Sequence, residues 1–183
     1  MTLSVDSTPL SPTCNSYVGS AEMETYVAER VTDATAKATW LALTSALKAA
    51  YLVNATRAID TVADFIGYQY SRDQKLKWPR YDAWVEGYLL DVTTFPHQVR
   101  DATAEMALWI ASNGGAMFVQ QAGAAFDAIK VGPINIDFNE YGNGPQFKYF
   151  PDIVAYLLRD IADVTNPPIP GSAMVKTVRL IRA

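Results

Sequence analysis

The chain has 183 residues, half of them hydrophobic, and a formal net charge of −4. That supplies one domain with a real core and excludes a disordered chain. The charge opposes a protein that lives by gripping phosphates, which needs a positive surface, and leaves only a local basic patch open.

No apolar run approaches a membrane span; Ala104 to Ala111 is broken by Glu105. The opening Met-Thr-Leu-Ser-Val-Asp has neither the basic nor the apolar region of a secretory signal, so a soluble product made in the cytoplasm is expected. Cys14 is the single cysteine, so one chain can build neither a disulfide nor a thiolate metal site.

Residues 1–15 are rich in Ser, Thr and Pro and read as a flexible arm. Ser20 is a candidate cap for a helix over Ala21 to Arg30, with Glu22 and Glu24 in its favoured first turn and Met23, Tyr26 and Val27 as its apolar stripe. A second helix starts near Ala34 and breaks at Thr44. Leu47, Tyr51, Ala55, Ile59 and Val62, joined by Ala58, then recur at three- and four-residue spacing, which predicts an amphipathic helix from about Ser45 to Phe65.

From Gly67 to Val92 that periodicity is lost, and a long loop anchored by Tyr and Trp is expected. Pro96 opens a helix whose inner face is Val99, Ala102, Met106, Trp109 and Ile110, and Asn113-Gly114-Gly115 ends it. A short helix is read from Ala116 to about Gln121. Ile129, Val131, Ile134, Ile136 and Phe138 read as strand, split by Gly132-Pro133 into an edge strand, a bulge or a loose hairpin. Tyr141-Gly142-Asn143-Gly144-Pro145 is a turn, and Pro151 begins a helix with Ile153, Leu157, Ile161 and Val164 on one side.

Asn166-Pro167-Pro168-Ile169-Pro170-Gly171 is a stiff linker. Beyond it, Val175, Val178, Leu180 and Ile181 alternate with Lys176, Arg179 and Arg182 in a segment of strong strand propensity. The chain thus divides into an arm (1–15), a body (16–164) and a linker with a C-terminal arm (165–183). The body is expected to be mainly α: a small bundle of about four to five helices, with a short β strand or hairpin.

The chemistry-bearing residues are few. His97 is the only histidine and sits at a helix start, where a surface role fits better than a general base. Asp60 and Asp64 share a helix face one turn apart, and a solvated face partnered by Arg57 is expected. Asp160 and Asp163 read the same way. Gly114-Gly115 lacks the strand and the Lys-Ser or Lys-Thr of a phosphate loop. No enzyme, cofactor or metal is expected. Tyr68, Tyr70, Trp78, Tyr81, Trp84 and Tyr88 are interleaved with Arg72, Lys75, Lys77 and Arg80. Such a pattern anchors loops and builds protein interfaces, and it can also stack the bases of a single strand.

A series of strings gives the chain a relative. Asn15-Ser16-Tyr17-Val18 precedes Ala21-Glu22 and Tyr26; Ala55-Thr56-Arg57-Ala58-Ile59-Asp60, Trp78-Pro79-Arg80, Ala102-Thr103-Ala104-Glu105 and Lys130-Val131-Gly132 follow. In order and spacing the series, over residues 15–163, resembles the DnaT-like single-strand-binding proteins of phage genomes. Those proteins are similar to the head-completion or head-to-tail adaptors of tailed phages.

The resemblance implies a structural subunit of the virion neck. It would form a closed ring of about twelve copies between the portal protein and the tail or neck proteins, letting DNA pass without sequence-specific contact. Single-stranded-DNA binding is the alternative. The interface candidates are Tyr68, Tyr70, Trp78, Arg80, Tyr81 and Trp84, with Val175, Val178, Arg179, Leu180 and Ile181 of the tail. Arg57 and Glu105 flank apolar helix faces within the shared strings, and an ion pair across the two central helices is expected.

Overall fold

A computed structural model describes residues 3–117, 119–121, 128–131, 134–137, 146–148 and 151–164, those between 119 and 148 by backbone alone. The first helix, α1 (Ser20–Glu29), is capped by Gly19 rather than by Ser20 and buries Met23 and Val27. Asp33 caps α2 (Ala34–Leu41) by accepting the Thr35 and Ala36 amides, and α2 seats Trp40 in the core. Thr44 caps α3 (Ser45–Val62) through the Leu47 amide.

The buried face of α3 is Ala49, Leu52, Ala55, Thr56, Ala58, Ile59 and Val62, while Leu47 is exposed. Steps of four residues overshoot a 3.6-residue turn by about 40° each, so Leu47 lies about 120° round the helix from Ile59. The helix stops at Val62 because the chain changes to strand: β1 (Ala63–Phe65) carries Phe65 into the core.

Where a loop is expected, the chain makes two small hairpins. They are β2 (Tyr68–Gln69) against β3 (Arg80–Tyr81), and β4 (Trp84–Val85) against β5 (Tyr88–Leu89), both antiparallel. The central helix, α4 (His97–Ser112), follows. Its alanines and Val99, Met106, Leu108 and Ile110 bury most of its circumference. Small side chains let neighbours approach on several sides, and α2 and α3 pack on it. The Gly115 amide returns to the Ile110 carbonyl to end it.

Beyond α4, β6 (Val119–Gln121) pairs with β9 (Gln146–Lys148), and β7 (Ala128–Val131) pairs with β8 (Ile134–Asp137) as a hairpin. The residues read as a short helix up to Gln121 therefore end in strand. The last helix, α5 (Asp152–Leu158), packs on α4 and buries Val154 and Leu158; Ile153, placed by its spacing on the inner side, is exposed. Ile161 is buried beyond the helix end, and β10 (Ala162–Val164) pairs antiparallel with β1, Phe65 opposite Ala162.

The expectation of a mainly α bundle is therefore corrected. Among the described residues, five helices stand with five two-stranded antiparallel pairs, a mixed α/β fold. The N-terminal segment is also more than an arm. Asp6 accepts the Thr8 amide and the Ser11 and Thr13 hydroxyls, Val5 packs on the core, and Cys14 is buried. The C-terminal candidates Val175, Val178, Arg179, Leu180 and Ile181 lie outside the described residues.

The expected Arg57–Glu105 pair does not form. Arg57 is exposed, and half-buried Glu105 instead accepts the Tyr26 hydroxyl at 2.7 Å. Around that contact, Arg30–Asp101 and Arg100–Glu22 join α1 to α4 on the surface, where such pairs contribute little. Arg57→Ala should therefore change stability by no more than about 0.5 kcal/mol. Tyr26→Phe, which strips the donor from Glu105, should cost about 1.5–3 kcal/mol. Denaturant melts of the two variants check the contrast.

Candidate nucleic-acid interface

The loop of the first aromatic hairpin is held from beneath by one buried hydroxyl. Tyr17 is fully buried, its hydroxyl donates to Asp60 Oδ1 at 2.5 Å, and it accepts the Trp78 amide at 3.2 Å. The second Asp60 oxygen accepts the Lys77 amide at 3.1 Å. The Tyr17 amide in turn donates to the buried Thr56 hydroxyl, and its ring meets Phe95 edge to face at 5.0 Å.

Asp60 is thus no member of a solvated face, and Arg57 is not its partner; Asp64 alone is exposed. Burial raises the Asp60 carboxyl to about 6, against the pull of the Tyr17 and Lys77 hydrogen bonds. Burial, then the neighbouring Asp60, holds the Tyr17 hydroxyl well above its usual range.

Trp78 follows from this knot. It is buried, meeting Phe65 edge to face at 5.8 Å, and is core rather than interface. Arg80 is likewise committed inward: Nε donates to the Ile66 carbonyl and Nη2 to the Gly67 carbonyl, both at 2.6 Å. Lys77 Nζ donates to the Ala63 carbonyl. These bonds fasten the β2–β3 hairpin to the end of α3 and to β1. Gly67, at φ +71°, lets the chain pass so close that a Cβ there would stand 2.6 Å from the Tyr81 carbonyl oxygen.

What remains faces solvent. Tyr68 and Tyr81, opposite one another across β2–β3, stack at 5.5 Å and are 61% and 48% exposed. Tyr70 and Trp84 are also about half exposed. The second hairpin turns through Glu86 and Gly87, both at positive φ, the two-residue turn whose twist suits a hairpin. It presents Tyr88, 77% exposed, and Leu89. Tyr88 and Leu89 belong with the interface candidates, and the turn at Gly87 is the signal that would have placed them there.

Between residues 67 and 92 the sequence holds four cations and four carboxylates. Lys77 and Arg80 are engaged with backbone carbonyls, leaving Arg72 and Lys75 exposed and unpaired among the described residues. Exposed His97 stands at the start of α4, apart from this cluster in sequence. No metal-binding group of three His, Cys, Asp or Glu residues occurs among the described residues, and no described helix is long and apolar enough to cross a membrane.

These features define a mixed α/β protein with a buried polar knot under a solvent-facing aromatic surface. A family model described as "Putative DnaT-like ssDNA binding protein" matches residues 1–182, and the chain belongs to that family. No curated protein and no solved structure matches it, so the expected likeness to head-to-tail adaptors has no structural counterpart among the comparisons.

Two outcomes follow from the knot. Gly67→Ala should lower stability by about 1–3 kcal/mol, read as a drop in melting temperature, because the new Cβ meets backbone in a strained conformation. Asp60 binds its proton more tightly folded than unfolded, so its contribution to stability falls as pH rises from about 4 to about 6. The melting-temperature difference between the wild type and Asp60→Asn should shift against the wild type across that window and stay level above it.

Proposed function

We propose that this chain binds single-stranded DNA by stacking bases on the exposed rings of its two small hairpins. The observation that carries the reading is the outward set of Tyr68, Tyr70, Tyr81, Trp84 and Tyr88 on a support fixed from behind by Tyr17, Trp78 and Arg80. Family membership supports it. Base–aromatic stacking contributes about 1–3 kcal/mol per base and tolerates any sequence, because every base has a π-face. With only Arg72 and Lys75 free in the segment, stacking rather than phosphate neutralisation supplies most of the affinity.

A second reading is favoured by the balanced charge of the same segment. A neutral aromatic surface suits a protein partner. In that reading the chain is a head-to-tail adaptor subunit of a tailed-phage particle, ringed on the portal protein and meeting tail or neck proteins through these rings. DNA then passes through the ring without being held.

Titration with oligothymidylate separates the two. Single-strand binding should quench the exposed Trp84, and Trp84→Phe should remove most of the signal. Tyr68→Ala, Tyr81→Ala or Tyr88→Ala should each weaken binding by about 1–3 kcal/mol. The salt slope should be shallow, about −1.4 for two phosphate contacts. No quenching at low salt, together with retention of the chain by a portal ring, would decide for the adaptor.

A further inference from the structure

The N-terminal turn and the loop joining β2 to β3 line a half-open cleft of about 290 Å3. Leu10 and Pro12 stand on one side; Tyr70, Leu76, Trp78 and Pro79 stand on the other. Both walls are held from behind. Asp6 ties the turn through the Ser11 and Thr13 hydroxyls, each at 2.6 Å. Gln74 ties the loop: Nε2 donates to the Leu76 and Pro79 carbonyls, and Oε1 accepts the Ser71 amide.

Leu10 sits at the rim with φ +64° and is 43% exposed. A branched, non-glycine residue persists in that conformation only where its surroundings impose it, and such strain gathers at ligand clamps.

The size lies just below the roughly 300–1,000 Å3 of pockets for drug-sized ligands, the class of a single ring system. Asp73 and Lys75 both line it and balance in charge, so a neutral ring fits better than a phosphate. The cavity also adjoins the aromatic surface. Tyr70 follows β2 directly, and its amide continues the hairpin ladder to the Pro79 carbonyl.

We infer that this cavity takes one unstacked nucleobase of a bound single strand, an inference that rests on the single-strand reading above. Tyr70 stands at its mouth, and Arg72 and Lys75 lie in the same loop for the flanking phosphates. The side of the cleft formed by Tyr70, Leu76, Trp78 and Pro79 offers apolar surface to the faces of a base.

The full-length protein, 15N-labelled, is titrated with free thymidine and adenosine, and separately with oligothymidylate. A nucleoside should shift the Trp78 indole N–H resonance. Ser71→Trp, which fills the cavity from its lining, should abolish that shift and weaken oligonucleotide binding about tenfold, the loss of one stacked base. Trp84→Ala should weaken oligonucleotide binding and leave the nucleoside shift intact. Oligonucleotide binding without any nucleoside shift, and at full affinity in Ser71→Trp, overturns the cavity and keeps the single-strand reading. A nucleoside shift without oligonucleotide binding keeps the cavity as a base site and removes the strand. Absence of both ends both, and the nucleoside titration decides on the unaltered protein even if Ser71→Trp fails to fold.

Discussion

The Tyr17 hydroxyl joins three parts of the chain that are far apart in sequence. It donates to Asp60 of α3 and accepts from the Trp78 backbone, while its own backbone is held by Thr56. Buried groups in such a network are strong when each is satisfied and costly when one is missing, since no water can replace the absent partner. Two-residue strands paired in isolation are not stable in water. The β2–β3 hairpin therefore keeps its shape only because Trp78 is seated in the core and Arg80 bonds inward to Ile66 and Gly67. Its rings stay outside because the inward positions are already taken by Leu76, Trp78 and Ala83.

That division settles which forces are open to the surface. An exposed Tyr68–Tyr81 stack gains little from its own burial and presents preset ring faces to solvent. Half of the segment's cations are spent on backbone carbonyls, where they hold geometry rather than attract anions. The surface is therefore aromatic first and basic second. Such a surface suits flat apolar faces, whether of bases or of protein side chains, and gives long-range steering little part.

The helices were legible where local rules decide them. Thr44 caps α3, Pro96 precedes α4, and Gly114-Gly115 ends it. The Gly132-Pro133 split left an edge strand, a bulge or a loose hairpin open, and β7 and β8 pair antiparallel. Errors arose where a distant partner overrides local pattern. Phe65 and Val164 look helical by spacing, but β1 and β10 pair across about a hundred residues of sequence. A chain of four-residue steps also placed Leu47 on a buried face that the 3.6-residue turn carries away from it, and in α5 the buried pair is Val154 and Leu158, one position on from Ile153 and Leu157. In the aromatic segment, residue type alone could not separate Trp78, which is core, from Trp84, which is exposed. Only the knot beneath distinguishes them. Arg57 and Glu105 failed as a pair for a similar reason: adjacency to an apolar face does not say which way a long side chain turns.

The strings that carry the sequence resemblance fall mainly on the frame. Tyr17, Thr56, Asp60 and Trp78 come from three of them and meet in a single buried network; Tyr26 and Glu105 come from two more and pair on α1 and α4. Tyr68, Tyr70, Tyr81, Trp84 and Tyr88 belong to none. The frame accounts for how this chain folds, while the exposed rings form a surface that the fold itself does not use. A frame that holds a loop rigidly is indifferent to which rings the loop displays, because the bonds that fasten it run to backbone amides and carbonyls at Lys77, Trp78, Ile66 and Gly67. Changing an outward tyrosine leaves those bonds in place. The exposed rings can thus be changed without unfolding their support, so a substitution there reports on binding and not on folding.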